Sequence, residues 1–464
     1  IPDNKGKVVL SFAGGFATDL GPSFTAGIQG NALQVPWLML SDNCYYELDG
    51  GPRKIGGADK INETATGSLN GIYDAWFQGG AGSETQKQVA YAGTTIQNMS
   101  ALGGTWTSLK TGLEADKIPC FEMMNDVVVM ASTSTVDVPQ SWDGGAASTS
   151  DLGGSPPNFS IVVEHRNRLW AAGVASNPSR LYYTALLTTN DWTTPSDAGS
   201  IDISPSDGDR ITGLASHKNE LIVFKGTNKQ SIHRITGSAP TGTDAFARVP
   251  FITGVSAVSQ LSIFRVGDDL VFASPRGIHS LAATASFGDY VEAFLSRPLL
   301  TFYQDKLNHN VLNGCQGVNY QSRGLAIWTF APSGSTTRSL YMCYDYRFSP
   351  GRWSTWGYQT RYVNAHSLMV AQTGRKHRLY AGTSTGFLYE LDKTTRAVDT
   401  TGAYTWNVMT PYLNFGSSGI MKNAEDGFLS LQPKGAYNLT MGYQRDTQTQ
   451  QTVTVSQAGG NTLG

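Results

Sequence analysis

Residues 219–237 read NELIVFKGTNKQSIHRITG. Leu221, Val223 and the stem of Lys225 alternate with Ile222 and Phe224, which is the two-residue period of a strand and not the 3.6-residue period of a helix. Gly226, Thr227 and Asn228 supply turn chemistry. Ile232, Arg234 and Thr236 then alternate with His233 and Ile235 on the return. The stretch predicts a β-hairpin. Its phrase is a polar residue, an apolar run of strand length, a Gly- or Ser-rich turn and a second apolar run.

The phrase recurs. It is NRLWAAG then SRLYYTA from Asn167, DDLVFASPRG then IHSLAAT from Asp268, and HRLYAGTSTG then FLYELD from His377. Weaker copies begin at Gln86, Asn125 and Arg323. The starts at 86, 125, 167, 219, 268, 323 and 377 lie 39, 42, 52, 49, 55 and 54 residues apart. Near-regular spacing with several strands per unit is the mark of propeller blades, four-stranded sheets that close radially and leave no long open edge. The expected fold is therefore all-β: a β-propeller of about six or seven blades. Trp106, Trp142, Trp192 and Trp353, each flanked by small polar residues, are expected at one repeated place where a large ring packs between blades.

Composition agrees. Of 464 residues only 15% are charged, while Gly counts 52, Trp 10 and Tyr 20, a balance that favours short strands and turns over amphipathic helices. A formal net charge of −2 argues against a general nucleic-acid binder. Cys44, Cys120, Cys315 and Cys343 form no CxxC pair or metal-ligand spacing, and free thiols in a cytosolic fold are expected. No run is long and apolar enough to span a bilayer, and IPDNKGKVVLSF carries no apolar segment of signal-peptide length, so secretion by the usual route is not expected.

Three regions are expected. Residues 1–65 form an N-terminal arm of short strands that completes or braces the propeller, 66–395 the propeller, and 396–464 a C-terminal β domain, read from alternation in TWNVMTPYLNFG, DGFLSLQP, AYNLTMGYQRD and QTVTVSQ. Inside the repeats, Leu299, Leu300, Tyr303 and Leu307 after Pro298 fit either a short amphipathic helix or an irregular loop between blades.

Within the arm, Gly14, Gly15 and Phe16, then Asn43, then Asp49-Gly50 and Arg53-Lys54 with Gly56, stand in an order that resembles the N-terminus of the short-tailed bacteriophage tail-nozzle proteins. This group is also called tail-tubular, and includes the packaged-DNA stabilisation proteins. The blade phrases look similar to that group as well, and the resemblance spans most of residues 7–392. It implies a C-terminal β domain beside the propeller, in a family whose members are often longer.

No catalytic constellation is legible. Ser100–Trp106 resembles the Asp box of sialidase propellers, but Leu102 replaces the Asp and the spacing is one short. The seven His residues, at 165, 217, 233, 279, 309, 366 and 377, form no ligand pair and are expected to be packed or solvated. SPSDGDR from Ser204 lacks the length and bidentate Glu of a calcium loop and reads as a turn opening the next blade. No phosphate loop or Gly-x-Ser-x-Gly elbow occurs. Arg166, Arg168 and Arg180, and the run Arg375, Lys376, His377, Arg378, are candidates for phosphate contacts, with rim salt bridges the expected reading given the balanced charge.

The expectation from the resemblance is a structural virion protein with no enzymatic activity, cofactor, metal or small-molecule substrate. It would be a subunit of the short-tail nozzle below the portal and adaptor rings, a homohexamer around the channel by which double-stranded DNA leaves without sequence-specific binding. Its other partners would be tail fibre or spike proteins, and it would be assembled in the bacterial host cytoplasm. Two alternatives are a carbohydrate-binding, receptor-binding propeller that stacks sugars on Trp353 or Trp356, and a sialidase-like glycan hydrolase.

Overall fold

The computed structural model describes residues 14–19, 37–79, 83–226, 228–287, 294–393, 402–413, 437–443 and 450–457, and short strands at 23–24, 28–29, 32–33 and 397–398. Residues 1–416 and 417–464 form two compact units. The first is a seven-bladed β-propeller.

Blades 1 to 4 are four-stranded antiparallel sheets. Blade 1 comprises Leu69–Gln78, Glu84–Ala92, Thr95–Met99 and Thr107–Lys110. Blade 2 comprises Pro119–Met124, Val127–Ser132, Gln140–Trp142 and Ser150–Asp151. Blade 3 comprises Ile161–His165, Arg168–Ala172, Arg180–Tyr183 and Gly199–Asp202. Blade 4 comprises Ile211–His217, Glu220–Lys225, Ser231–Thr236 and Ala247–Thr253. Among the described residues blade 5 has three strands, Phe264–Val266, Asp269–Ala273 and Ile278–Ser280, with Phe294 bridging His279 at the outer edge. Blade 6 is built on Gln316–Tyr320, Leu325–Phe330, Leu340–Asp345 and Arg352–Trp356, and blade 7 on Ser367–Thr373, Lys376–Gly382 and Leu388–Lys393.

All seven starts of the recurring phrase fall at the second strand of a blade, one per blade. In blades 2 to 4 the reason is the first turn. Asn125-Asp126, Arg166-Asn167 and Lys218-Asn219 all have positive φ, between 46° and 64°, and close two-residue hairpins. Such turns match the twist of the strands they join, and Asn and Asp tolerate the left-handed region best. The polar residue that opens the phrase is thus the turn, and the apolar run after it is a strand buried on both faces.

The hairpin of residues 219–237 is the middle pair of blade 4. Leu221 and Val223 enter the core shared with blade 3, while Ile222 and Phe224 enter the core shared with blade 5. Alternation therefore separates two interfaces, and not core from solvent. Lys225 is fully buried, with Nζ donating to Ser204 O and Asp207 Oδ1 at 2.6 Å each. After it, Gly226 has φ +88°, and a Cβ there would collide with the Asp209 carboxylate. That carboxylate accepts the N–H groups of Asn228, Lys229 and Gln230; Thr227 lies outside the described residues.

Seven apolar clusters lie one between each pair of neighbouring blades. Leu69, Ile72, Ala90 and Ala92 of blade 1 meet Met369, Ala371, Tyr380 and Leu388 of blade 7, which closes the ring. The tryptophans belong to these clusters, but not at one repeated place as expected. Trp142 is on a third strand, Trp192 in a loop between third and fourth strands, Trp353 on a fourth strand and Trp106 just before one. Any strand position that reaches the neighbouring blade serves a large ring, so the blade register is not shared. Between blades 5 and 6 the helical expectation holds: a 3-10 turn, Arg297–Leu299, leads into helix Leu300–Lys306, whose Phe302 and Tyr303 are buried with Leu299 and Leu307.

Strands distant in sequence complete the last two blades. Gly57–Lys60 pairs antiparallel with Leu388–Lys393 as the fourth strand of blade 7. Leu40–Asp42 lies parallel to Arg352–Trp356 in blade 6, and Asn407–Met409 pairs outside it. The second unit contains a hairpin of Tyr437–Tyr443 and Gln451–Gln457.

Candidate functional site: the arm seam on blades 6 and 7

Asn43, Lys54 and Gly56 of the arm converge on this seam, while Phe16 packs into the cluster between blades 5 and 6. Asp42 is buried, and its carboxylate accepts Thr355 Oγ1 at 3.0 Å and the N–H groups of Tyr358, Gln359 and Thr360 at 3.1, 2.8 and 3.4 Å. Burial raises its pKa, and those hydrogen bonds oppose the rise. Asn43, at φ +55°, donates from Nδ2 to Thr360 O and Thr405 O at 3.0 and 2.9 Å and accepts Gly357 N–H at 2.8 Å. One amide thus ties the arm, blade 6 and the 402–413 segment together.

Lys54 Nζ donates to Tyr404 O at 2.6 Å and lies 4.1 Å from the centre of that ring. Tyr404 Oη and Tyr362 Oη both donate to Gly56 O, at 2.8 and 2.9 Å, while Gly56 N–H donates to Asp392 Oδ1 at 2.8 Å. Asp392 Oδ2 also holds Arg323 Nε at 2.6 Å, and Arg323 covers the Tyr45 ring at 4.6 Å. Arg53 pairs with Glu47 across the turn at Asp49 and Gly50, where φ of Gly50 is +90°. Gly15 has φ +68° against Arg352, and Phe16 is buried against Phe302. Gly14 sits in an exposed turn. The seam is an adhesive surface built of capped backbone groups and stacked cations.

The other candidates separate. Trp353 and Trp356 are each 1% exposed, with Nε1 donating to Leu295 O and Cys44 O, so neither is open to stack a sugar. Their indoles fill the interfaces of blade 6 instead. Arg168 is buried and paired with Asp197 at 2.6 Å, Arg180 grips Asp202 at 2.7 and 3.0 Å, and Arg166 caps Gly237 O at 2.6 Å. Arg378 pairs with Glu390, while Arg375, Lys376 and His377 are exposed around the first turn of blade 7. Arg168, Arg180 and Arg378 bind carboxylates of their own blades, whereas Arg166 reaches across to blade 4.

His165 and His279 are structural. His165 meets Ser216 Oγ at 2.8 Å and His279 meets Ser274 Oγ at 2.9 Å. Burial, with a nearby arginine adding to it, lowers them to about 4 and about 3. Asp207 and Asp209 of the SPSDGDR loop spend their oxygens on Lys225 and on backbone N–H groups. Among the described residues no group of three or more His, Cys, Asp or Glu is placed to hold a metal. The four cysteines are free and buried, and burial pushes Cys44 and Cys120 up to about 12. The segment Ser100–Trp106 is a turn leading into the fourth strand of blade 1.

One group escaped the sequence reading: Asp74, Trp76 and Gln78 facing Gln88, Gln86 and Glu84 across blade 1. Its signal in the sequence is weak: Asp74, Trp76 and Gln78 alternate with Ala75 and Phe77, while ETQKQ is polar throughout and shows no period.

The architecture defines a seven-bladed β-propeller. No protein-family model matches the chain, and no curated protein matches it. Solved structures similar to it include the mitotic checkpoint complex (11% identity, 72% of this chain and 97% of that one, TM-score 0.42) and BBS1N in complex with ARL6DN (12%, 75% and 97%, 0.44). YCF48 bound to D1 peptide is a third, at 10% identity, 74% and 98% coverage and TM-score 0.43. At these identities the likeness is one of fold.

Proposed function

We propose that the chain is a structural virion protein, a subunit of the short-tail nozzle of a tailed bacteriophage. Copies would surround the channel by which the genome leaves, with the adaptor and portal above and fibre or spike proteins attached. Contacts between subunits carry the function, with no chemistry on a substrate. DNA passes between subunits without sequence-specific binding, since phosphate affinity grows with each free Lys or Arg, and Arg168, Arg180 and Arg378 are spent on carboxylates.

The observation that carries this reading is the use made of the residues behind the resemblance. Asn43, Lys54 and Gly56 fasten the arm across blades 6 and 7, and Gly50 shapes the turn beside them. What supports the resemblance is that Gly15, Asn43 and Gly50 adopt positive φ, and that Lys54 and Gly56 bond across the same seam.

Electron microscopy of the concentrated protein, paired with light-scattering mass, tests the proposal. The expected result is a ring of about six subunits around a lumen wide enough for duplex DNA, ~20 Å. A monomer that forms no ring, alone or with the adjoining tail protein, overturns it.

A further inference from the structure

The first two strands of blade 1 present one unusual face. Gln78 lies opposite Glu84, Trp76 opposite Gln86 and Asp74 opposite Gln88, so all six side chains share that face. The intervening Tyr73, Ala75 and Phe77 turn to the core shared with blade 2. Trp76 is 38% exposed, more than any other of the ten tryptophans.

This indole is not loose. Its Nε1 donates to Asp74 Oδ2 at 3.1 Å. The same carboxylate accepts Gln86 Nε2 at 2.8 and 3.0 Å and Gln88 Nε2 at 2.8 Å, and Gln86 reaches on to Gln372 O of blade 7 at 2.8 Å. A saturated carboxylate therefore fixes the ring while its surface stays open. Trp76, Phe77, Gln78, Glu84 and Gln372 line a cavity of about 300 Å³ beside it.

We propose that this cavity is a saccharide subsite for a neutral hexopyranose ring. A sugar has an apolar C–H face, which suits a flat indole, and a rim of hydroxyls, which suits amides and a carboxylate. The described lining contains neither Lys nor Arg, and Glu84 repels anions, so phosphates and acidic sugars are disfavoured. The volume falls at the small end of ligand sites, as one ring requires. Because Asp74 already holds the indole, little side-chain freedom is lost on binding. The site needs a single chain, so it stands apart from the nozzle reading.

Saturation-transfer NMR on the full chain tests it, with methyl glucoside, methyl galactoside, methyl mannoside and N-acetylglucosamine as probes. Transfer to the ring C–H protons of at least one is expected. Trp76→Ala should weaken that affinity about tenfold or abolish it, and Trp76→Phe should retain binding. Gln78→Ala, which leaves the platform in place, should weaken it and serves if Trp76→Ala fails to fold. The proposal is overturned if the native chain binds none of the four, or if folded Trp76→Ala binds as the native chain does. It is also overturned if Trp76→Ala breaks subunit assembly while no saccharide binds, which would make Trp76 a protein contact.

Discussion

Gly56 is confined more tightly than its lack of a side chain suggests. A Cβ there would stand 2.0 Å from Lys393 O, a backbone atom fixed in the blade 7 sheet. Gly56→Ala should cost about 1–3 kcal/mol, the usual range for overpacking, and lower the melting temperature without changing the fold by circular dichroism. Glu122 behaves differently. Burial, with Glu164 on the neighbouring blade adding repulsion, pushes its carboxyl up to about 7. The folded chain then keeps a proton that the unfolded chain releases at ordinary carboxylate pH, so stability falls as pH rises from about 4.5 to about 7. Glu122→Gln should melt near the native temperature at pH 4.5 and above it at pH 8; a gap that is constant with pH would refute this. Asn43 and Gly56 stand out through the resemblance, and the structure gives both a contact at the seam. Trp353 packs between blades as expected, which closes it, with Trp356, to the sugar stacking of the alternative reading, whereas nothing in the sequence marks Trp76 as open, because exposure depends on which neighbouring strand covers a ring.

The element most exposed to experiment is Gly57–Lys60. It covers the edge of Leu388–Lys393, and its own Ala58 is fully buried. Removing residues 1–61 should leave that strand with unpaired N–H and C=O groups, a template for association. Size-exclusion chromatography should show oligomers or aggregate, and a chain that stays dispersed and melts as before would deny the strand its role. Nature protects another edge differently: the exposed fourth strand of blade 4 contains Pro250, which cannot donate to an incoming strand. Strands were legible wherever local alternation and a tight turn coincided, as at Asn125-Asp126 and Lys218-Asn219. The outer edge of blade 5 and the added strands of blades 6 and 7 were not, because their pairing joins segments with no local signal between them. Asp42 meets Thr355 at a separation of 313 residues, which no window along the chain can see.

At the scale of the molecule, the recurrence of one phrase was enough to read a propeller, and the seven starts equal the seven blades. What a repeat cannot state is how the ring is locked, since every blade in it looks alike. The lock is the arm strand, and it sets an order in time. Gly56 and Asp392 are 336 residues apart. At ribosomal rates of roughly 5–20 residues per second, the arm waits on the order of tens of seconds for its partner to be made. Blades 1 to 6 meet in sequence as they emerge, each burying one face on the last, but the first strand of blade 1 keeps an uncovered flank throughout. The nascent chain is therefore an open arc with two sticky ends until its final blade arrives, a long-range closure of the slow-folding kind.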